Sequence, residues 1–277
     1  MINENRTNDL SKRPIGLFDS GVGGLTVMRQ IMHALPHEPL IYFGDTARLP
    51  YGEKSAESII RYSIENAAFL MQKDIKALVV ACNTSCAFAW DKLKNLYDIP
   101  VIGVIEPGAE RAVQVTKNGR IAVLGTKGTI KTGEYERAIK RRLPGAQVLS
   151  IACPLFVPLV EERFLNHPAA QLIVQEYLKP LRAMDVDTIL LGCTHYPLLA
   201  KLIQGEAGDG VVIVDSATTC ADKVKELLMQ HSLQTNLKHP PSHQYFVSDD
   251  PRKFRSMGQE IINAAIPHVE VVDLGNN

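Results

Sequence analysis

The chain has 277 residues, enough for one large α/β domain or two modest ones at roughly 100–200 residues each. Hydrophobic residues make up 45% of it, which supports a full core and excludes a disordered tail. Lys plus Arg equals Asp plus Glu at 30 each, which argues against a surface built mainly to hold nucleic acid or anionic lipid.

In chain order, residues 1–13 read as a polar extension without the apolar core of a secretory leader. A short apolar run at 14–18 reads as a strand, and the loop DSGVGG follows it. Helical character begins near Leu25 and stops at Pro36. A second strand is expected at 40–43, ending at Gly44-Asp45-Thr46. Ser55 caps a helix to about Lys73, with Ile60, Ile64, Ala67, Ala68 and Met71 at helical spacing. Further strands are expected at 77–81, 101–105, 121–124, 147–151, 188–191 and 211–214, most of them separated by helical stretches. Strand–helix alternation predicts an α/β fold of mostly parallel sheets covered on both faces. Two segments repeat one plan, a strand with a Gly/Ser/Thr loop and later a strand ending in cysteine: 15–24 with 78–84, and 121–129 with 188–195. Two similar α/β domains facing across a cleft are the economical arrangement.

No apolar run reaches the ~18–20 residues that span a bilayer. Five scattered cysteines, an odd number, suit a reducing cytoplasm better than a disulfide framework. Lys140, Arg141 and Arg142 read as a solvated helix face.

The chemistry concentrates where strands end. Asp19, Asp45, Cys82, Thr126 and Cys193 each follow an apolar strand-like run, and ligands of parallel sheets sit at that edge. A cysteine at a helix start meets loose N–H groups and the positive end of the helix dipole, so both thiols are expected to have lowered pKa values. Asp19 and Asp45 are equally compatible with plain helix caps. His195, two residues past Cys193, can orient or deprotonate that thiol or simply be structural. Cys86, Cys153 and Cys220 read as packing. No C-x-x-C and no zinc-like spacing occur, so no metal is expected. DSGVGG matches neither dinucleotide nor P-loop signatures, and reads as an amide nest or a tight turn.

Taken together, IGLFDSGVGGLTV (15–27), YFGDTARLPYG (42–52), VVACNTSCA (79–87), GVIEPG (103–108), ACPLFVPLVE (152–161), LLGCTHYPLL (190–199) and VDSA (214–217) resemble glutamate racemases of the aspartate/glutamate racemase family. The resemblance runs in family order from Pro14 over nearly the whole chain. It implies a first domain of 14–103 plus 215–277, a second of 104–214, and a homodimer. It also implies cofactor-independent racemisation of L- to D-glutamate for peptidoglycan synthesis, by two bases on opposite faces of Cα. Cys82 matches the base serving D-glutamate and Cys193 the one serving L-glutamate. Asp19 matches the carboxylate beside the first thiol, and His195 and Glu161 the groups assisting the second. Asp19, Ser20, Pro50, Tyr51, Gly52, Asn83, Thr84, Thr126, Thr129, Thr194 and His195 match substrate-contacting positions. Some members answer to a muramyl-peptide regulator; no nucleic-acid or membrane partner is expected. Glu162-Arg163 departs from the family, which often has a glycine close by, and so puts the position of Glu161 in question. Alternatives are an aspartate or hydantoin racemase, a thiol hydrolase or amidotransferase using one cysteine, and a carboxylate-binding module without catalysis.

Overall fold

The computed structural model describes residues 9–238 and 241–274; the expected extension therefore lies outside the described residues for 1–8. The first half alternates β1 (Ile15–Asp19), α1 (Leu25–Ala34), β2 (Leu40–Gly44), α2 (Ala56–Met71), β3 (Ala77–Val80), α3 (Asn83–Leu96), β4 (Val101–Gly103) and α4 (Ile105–Val115). Next come β5 (Arg120–Gly125), α5 (Lys127–Thr132), α6 (Glu134–Arg142), β6 (Gln147–Ala152), α7 (Phe156–Glu161), α8 (Pro168–Met184), β7 (Thr188–Gly192), α9 (Ala200–Ala207) and β8 (Val212–Asp215). The chain closes with α10 (Ser216–Gln230), β9 (Gln244–Val247), α11 (Pro251–Ile262) and β10 (Glu270–Val271).

These strands form two parallel sheets, ordered β10-β9-β2-β1-β3-β4 and β6-β5-β7-β8. The order β2-β1-β3-β4 repeats as β6-β5-β7-β8, so both lobes are wound alike. In each, the first strand sends the chain to one side and the third strand returns on the other. The switch points therefore fall between β1 and β3, and between β5 and β7, where parallel sheets open a crevice at their carboxyl ends.

Why these residues make strands is plain from burial. Every residue of β1, β2, β3 and β7 is buried, as a sheet covered on both faces requires, whereas edge strand β6 is exposed or half-buried throughout. Along β5 the pleat sorts side chains by period two. Ile121 and Val123 face the large core shared with the first lobe through α4 and α10, while Ala122 and Leu124 face a second core with Phe156, Leu178 and Tyr196. Each fully buried Leu, Ile or Val is worth roughly 1.5–3 kcal/mol against exposure, so each lobe has its own apolar support.

Two expectations need correction. The run at 101–105 is strand only to Gly103; Ile105 already opens α4, whose first turn carries Pro107 where its missing N–H costs nothing. Strands β9 and β10 were not expected: β9 is four residues and β10 two, too short to show a pattern. The basic cluster is an exposed face of α6, as expected, and its charges are paired at the surface: Arg141 and Arg142 with Glu106, and Lys140 with Glu136. Among the described residues no helix is long and apolar enough to cross a membrane.

Candidate active site

Both switch points open onto one cavity. Ser20, Pro50, Tyr51, Gly52, Cys82, Asn83 and Thr84 line it from the first lobe, and Thr126, Cys193, Thr194 and His195 from the second, with Leu49 and Val157 as apolar walls. Its free volume is about 20 Å³, room for about one water. The lobes are therefore closed on each other.

Three expected residues stand behind this wall. Asp19 is fully buried; it accepts the Gly21 amide at 3.1 Å and the Thr194 hydroxyl at 3.3 Å, the latter across the seam. Thr129 joins Thr126 and Thr84 in a triangle of hydroxyls 2.9–3.3 Å apart, also across the seam. Glu161 backs His195, Oε1 to Nε2 at 2.8 Å. The Arg163 backbone is left-handed (φ 59°), the conformation a glycine takes without cost, and Glu161 reaches its partner all the same.

Cys82 is the N-cap of α3, its sulfur accepting the Ser85 amide at 3.4 Å, and its thiol faces Ser20 Oγ at 3.8 Å. The expectation that the helix start lowers its pKa is overturned. Burial, with the Asp19 charge adding to it, pushes the thiol up to about 12; the amide of Ser85 and the Ser20 hydroxyl offset only part of this. The site around Cys193 differs in kind. Its sulfur lies 4.0 Å from His195 Nδ1. Burial opposes charging that imidazole, but its bonds to Cys193 and Glu161 outweigh burial and raise it to about 10. Glu161 is held below the usual carboxylate range: burial works against it, and His195 and Lys253 prevail. Burial pushes the Asp19 carboxyl up, opposed by His195 and the amides of Gly24 and Gly21. One thiol thus stands beside carboxylate and hydroxyl, the other beside an imidazolium.

The glycines of DSGVGG have a spatial reason. A Cβ on Gly23 would sit 2.4 Å from His195 Nδ1 and 2.5 Å from Thr194 Oγ1; on Gly24, 2.5 Å from Asp19 Cβ. The loop is small because the second lobe packs directly against it. Its Gly21 amide serves Asp19, so the nest reading holds only toward the chain's own carboxylate. Asp45 is no cap: it accepts from Arg48 Nε at 2.7 Å, from Ser248 Oγ at 2.9 Å and from the Tyr51 hydroxyl, steadying the turn that carries Tyr51 and Gly52.

Sequence reasoning missed Tyr135. It lies on the buried face of α6, and its hydroxyl donates to Asn83 Oδ1 at 2.5 Å across the seam. That leaves the buried Asn83 Nδ2 without a partner in a residue that lines the cavity. Helical spacing can mark Tyr135 as buried but not name a partner 52 positions away. Lys253, 3.3 Å from Glu161 Oε2, was missed for the same reason. Cys86, Cys153 and Cys220 are buried in the cores, as expected. No cluster of three or more His, Cys, Asp or Glu able to hold a metal occurs among the described residues.

Two lobes wound alike, each aiming a thiol from its switch point into a closed cavity, define the class. The family model for Asp/Glu/Hydantoin racemases matches residues 15–224, and the chain belongs to that family, whose racemases are isomerases. The similarity runs to glutamate racemases in particular. The chain is 50% identical to the glutamate racemase of Geobacter metallireducens over 262 residues, 95% of this chain and 97% of that one. The structure of the Francisella tularensis glutamate racemase in complex with D-glutamate superposes with a TM-score of 0.91 at 35% identity, covering 96% of this chain and 100% of that one. The Escherichia coli glutamate racemase, in complex with L-glutamate and the activator UDP-MurNAc-Ala, superposes with a TM-score of 0.78 at 29% identity, covering 94% and 98%.

Proposed function

We propose that this chain interconverts L- and D-glutamate without a cofactor, supplying D-glutamate for peptidoglycan, with Cys82 and Cys193 as the two bases. The observation that carries the reading is the meeting of the two thiols in one cavity from opposite lobes. A carbon bound there can be addressed from both faces.

From L-glutamate, the Cys193 sulfur takes the α-proton. The Cα–H bond breaks, its electron pair stays on carbon, and an S–H bond forms. The Cys82 S–H bond then breaks toward the opposite face, its pair remaining on sulfur and its proton going to Cα. The next turnover needs the two protons exchanged with solvent or run in reverse. His195 steadies charge at Cys193, Glu161 holds His195, and Asp19 with Ser20 faces Cys82. With its thiol pushed up to about 12, Cys82 rests as the acid, poised for L-glutamate. The orphan Asn83 amide and the hydroxyls of Thr84, Thr126 and Thr129 suit a substrate carboxylate, and Thr194, Pro50, Tyr51 and Gly52 complete its surroundings. Residues 14–103 with 215–277 act as one domain and 104–214 as the other, opening to admit a substrate that a cavity of about 20 Å³ cannot hold. The working unit is a cytoplasmic homodimer, and a muramyl-peptide precursor, as bound in the Escherichia coli neighbour, is its regulator.

The test uses Cys82→Ala and Cys193→Ala in D2O. Each is expected to abolish racemisation. Cys82→Ala still exchanges the α-proton of L-glutamate with retention and leaves D-glutamate untouched; Cys193→Ala does the reverse. Racemisation persisting in either variant, or the opposite pattern of exchange, refutes the assignment.

A further inference from the structure

The relay behind Cys193 does not end in its own lobe. Glu161 closes α7 in the second lobe and is 11% exposed at its side chain. One carboxylate oxygen accepts from His195 at 2.8 Å. The other faces Lys253 Nζ at 3.3 Å, and Lys253 belongs to α11, which packs against α1 in the first lobe. The same ammonium lies 3.7 Å from Glu162. A second pair, Arg163 with Glu260 at 2.7 Å, runs from the turn just after α7 to α11 but touches no member of the relay.

We propose that Lys253 is a positioning residue for the reaction: reaching across the seam, it holds Glu161 ionised and aimed at His195, so that the relay at Cys193 is complete only when the lobes are closed. The geometry requires this division of labour. A carboxylate with one oxygen on an imidazolium has its second oxygen free to turn, and no group of the second lobe takes it. The cation that does is carried by the opposite lobe. Opening to admit substrate therefore strips Glu161 of one of its two cations, and closure restores it around bound substrate. The titratable groups facing this carboxylate are His195 and Cys193 behind it, Lys253 and Glu162 outside it, the Tyr42 phenol across the seam, and Asp19 beyond the imidazole. Of these only His195 and Lys253 carry positive charge, so removing Lys253 has a defined sign.

The inference rests on the proposed role of Glu161, and the test separates the two. The kcat/KM of Lys253→Met, which keeps the aliphatic stem, is measured against pH at low salt beside Lys253→Arg, Glu260→Gln and Glu161→Gln. Half of the Lys253 side chain is in solvent, so the expected effect is modest: a three- to five-fold loss, roughly, and an acid limb moved up by about half a pH unit. Lys253→Arg restores both, and Glu260→Gln leaves the limb in place. An unmoved limb in Lys253→Met overturns the proposal, as does an equal movement in Glu260→Gln, which would make both pairs simple latches. Wild-type turnover in Glu161→Gln instead overturns the relay itself.

Discussion

Gly23→Ala isolates what closure demands of the DSGVGG loop. Its backbone is not in the left-handed region, so alanine is tolerated there conformationally and any effect is steric. The added methyl would lie 2.4 Å from His195 Nδ1, 2.6 Å from His195 Cε1 and 2.5 Å from Thr194 Oγ1. Carbon contacts settle near 3.5–4.0 Å, so about 1 Å of displacement must be found. His195 cannot yield freely, being buried and tied to Glu161 at 2.8 Å, so either the imidazole leaves its place or the lobes stand apart. Misplacing a catalytic group by about 1 Å costs on the order of 100-fold, and overpacking about 1–3 kcal/mol. The expected result is a loss of kcat/KM of about that factor, equal for both enantiomers, with a modest fall in Tm because both cores are untouched. Gly205→Ala, in α9 with nothing within 4 Å of the new methyl, is the control and should be neutral or slightly stabilising. Activity within twofold of wild type in Gly23→Ala would mean that the closed arrangement is not the working one.

Three further outcomes are expected. Tyr135→Phe removes the 2.5 Å bond that fixes the Asn83 amide, which should raise KM about five- to ten-fold with a smaller change in kcat; an unchanged KM refutes the role assigned to that amide. Stability should fall as pH rises, because folding holds protons on buried groups, two of them in the cavity wall: His195, raised from 6.5 to about 10, contributes fully below pH 6.5 and loses this by pH 10, and Cys82, raised from 9.0 to about 12, acts likewise between those values. Glu161 has the opposite sign, its contribution disappearing as pH falls below 4.5, so Tm profiles of His195→Asn and Glu161→Gln should flatten at opposite ends. Arg163→Gly exchanges a left-handed arginine for a residue at ease there and loses only exposed contacts, the ion pair with Glu260 and a hydrogen bond to Ser256 Oγ, so Tm should stay level or rise by up to about 1 kcal/mol equivalent; a clear drop refutes that account of the loop.

Much of the fold and of the site's edge was legible because both obey local rules. Ile15, Leu40, Ala77 and Thr188 begin short apolar runs that alternate with helical stretches and so read as buried parallel strands, and a parallel sheet fixes which end faces ligand. Ser55 announced α2 through its cap. What stayed hidden depends on distance in sequence. Val104 and Ile105 prolong an apolar run whose helical continuation is decided by packing against α6 and α10. Glu161 meets Lys253, and Asn83 meets Tyr135, only across the seam between the two lobes. The state of Cys82 was misread because its position at a helix start is local, whereas burial at 5% exposure and the Asp19 charge come from the assembled site. Desolvation won over the helix end.

The unequal surroundings of the two thiols place a constraint on any such racemase. Enantiomers have equal free energy in water, so the ratio of kcat/KM in the two directions must be one at every pH. The Asp19–Cys82 and Glu161–His195–Cys193 sets therefore cannot favour one direction in kcat/KM, however different their proton affinities. Their difference can appear only in how kcat and KM divide that ratio, and in which proton the empty enzyme carries. Cys82, raised to about 12, keeps its proton, while His195, raised to about 10, supplies the charge opposite Cys193. Under the proposed two-base assignment the empty enzyme is set to receive L-glutamate, and D-glutamate must meet a minor protonation state or wait for the protons to exchange. On this argument KM and kcat are both lower for L-glutamate, by one common factor, and that factor should shrink in Asp19→Asn, where the charge that helps hold the Cys82 proton is gone. An unchanged factor in that variant would place the asymmetry elsewhere than at Cys82.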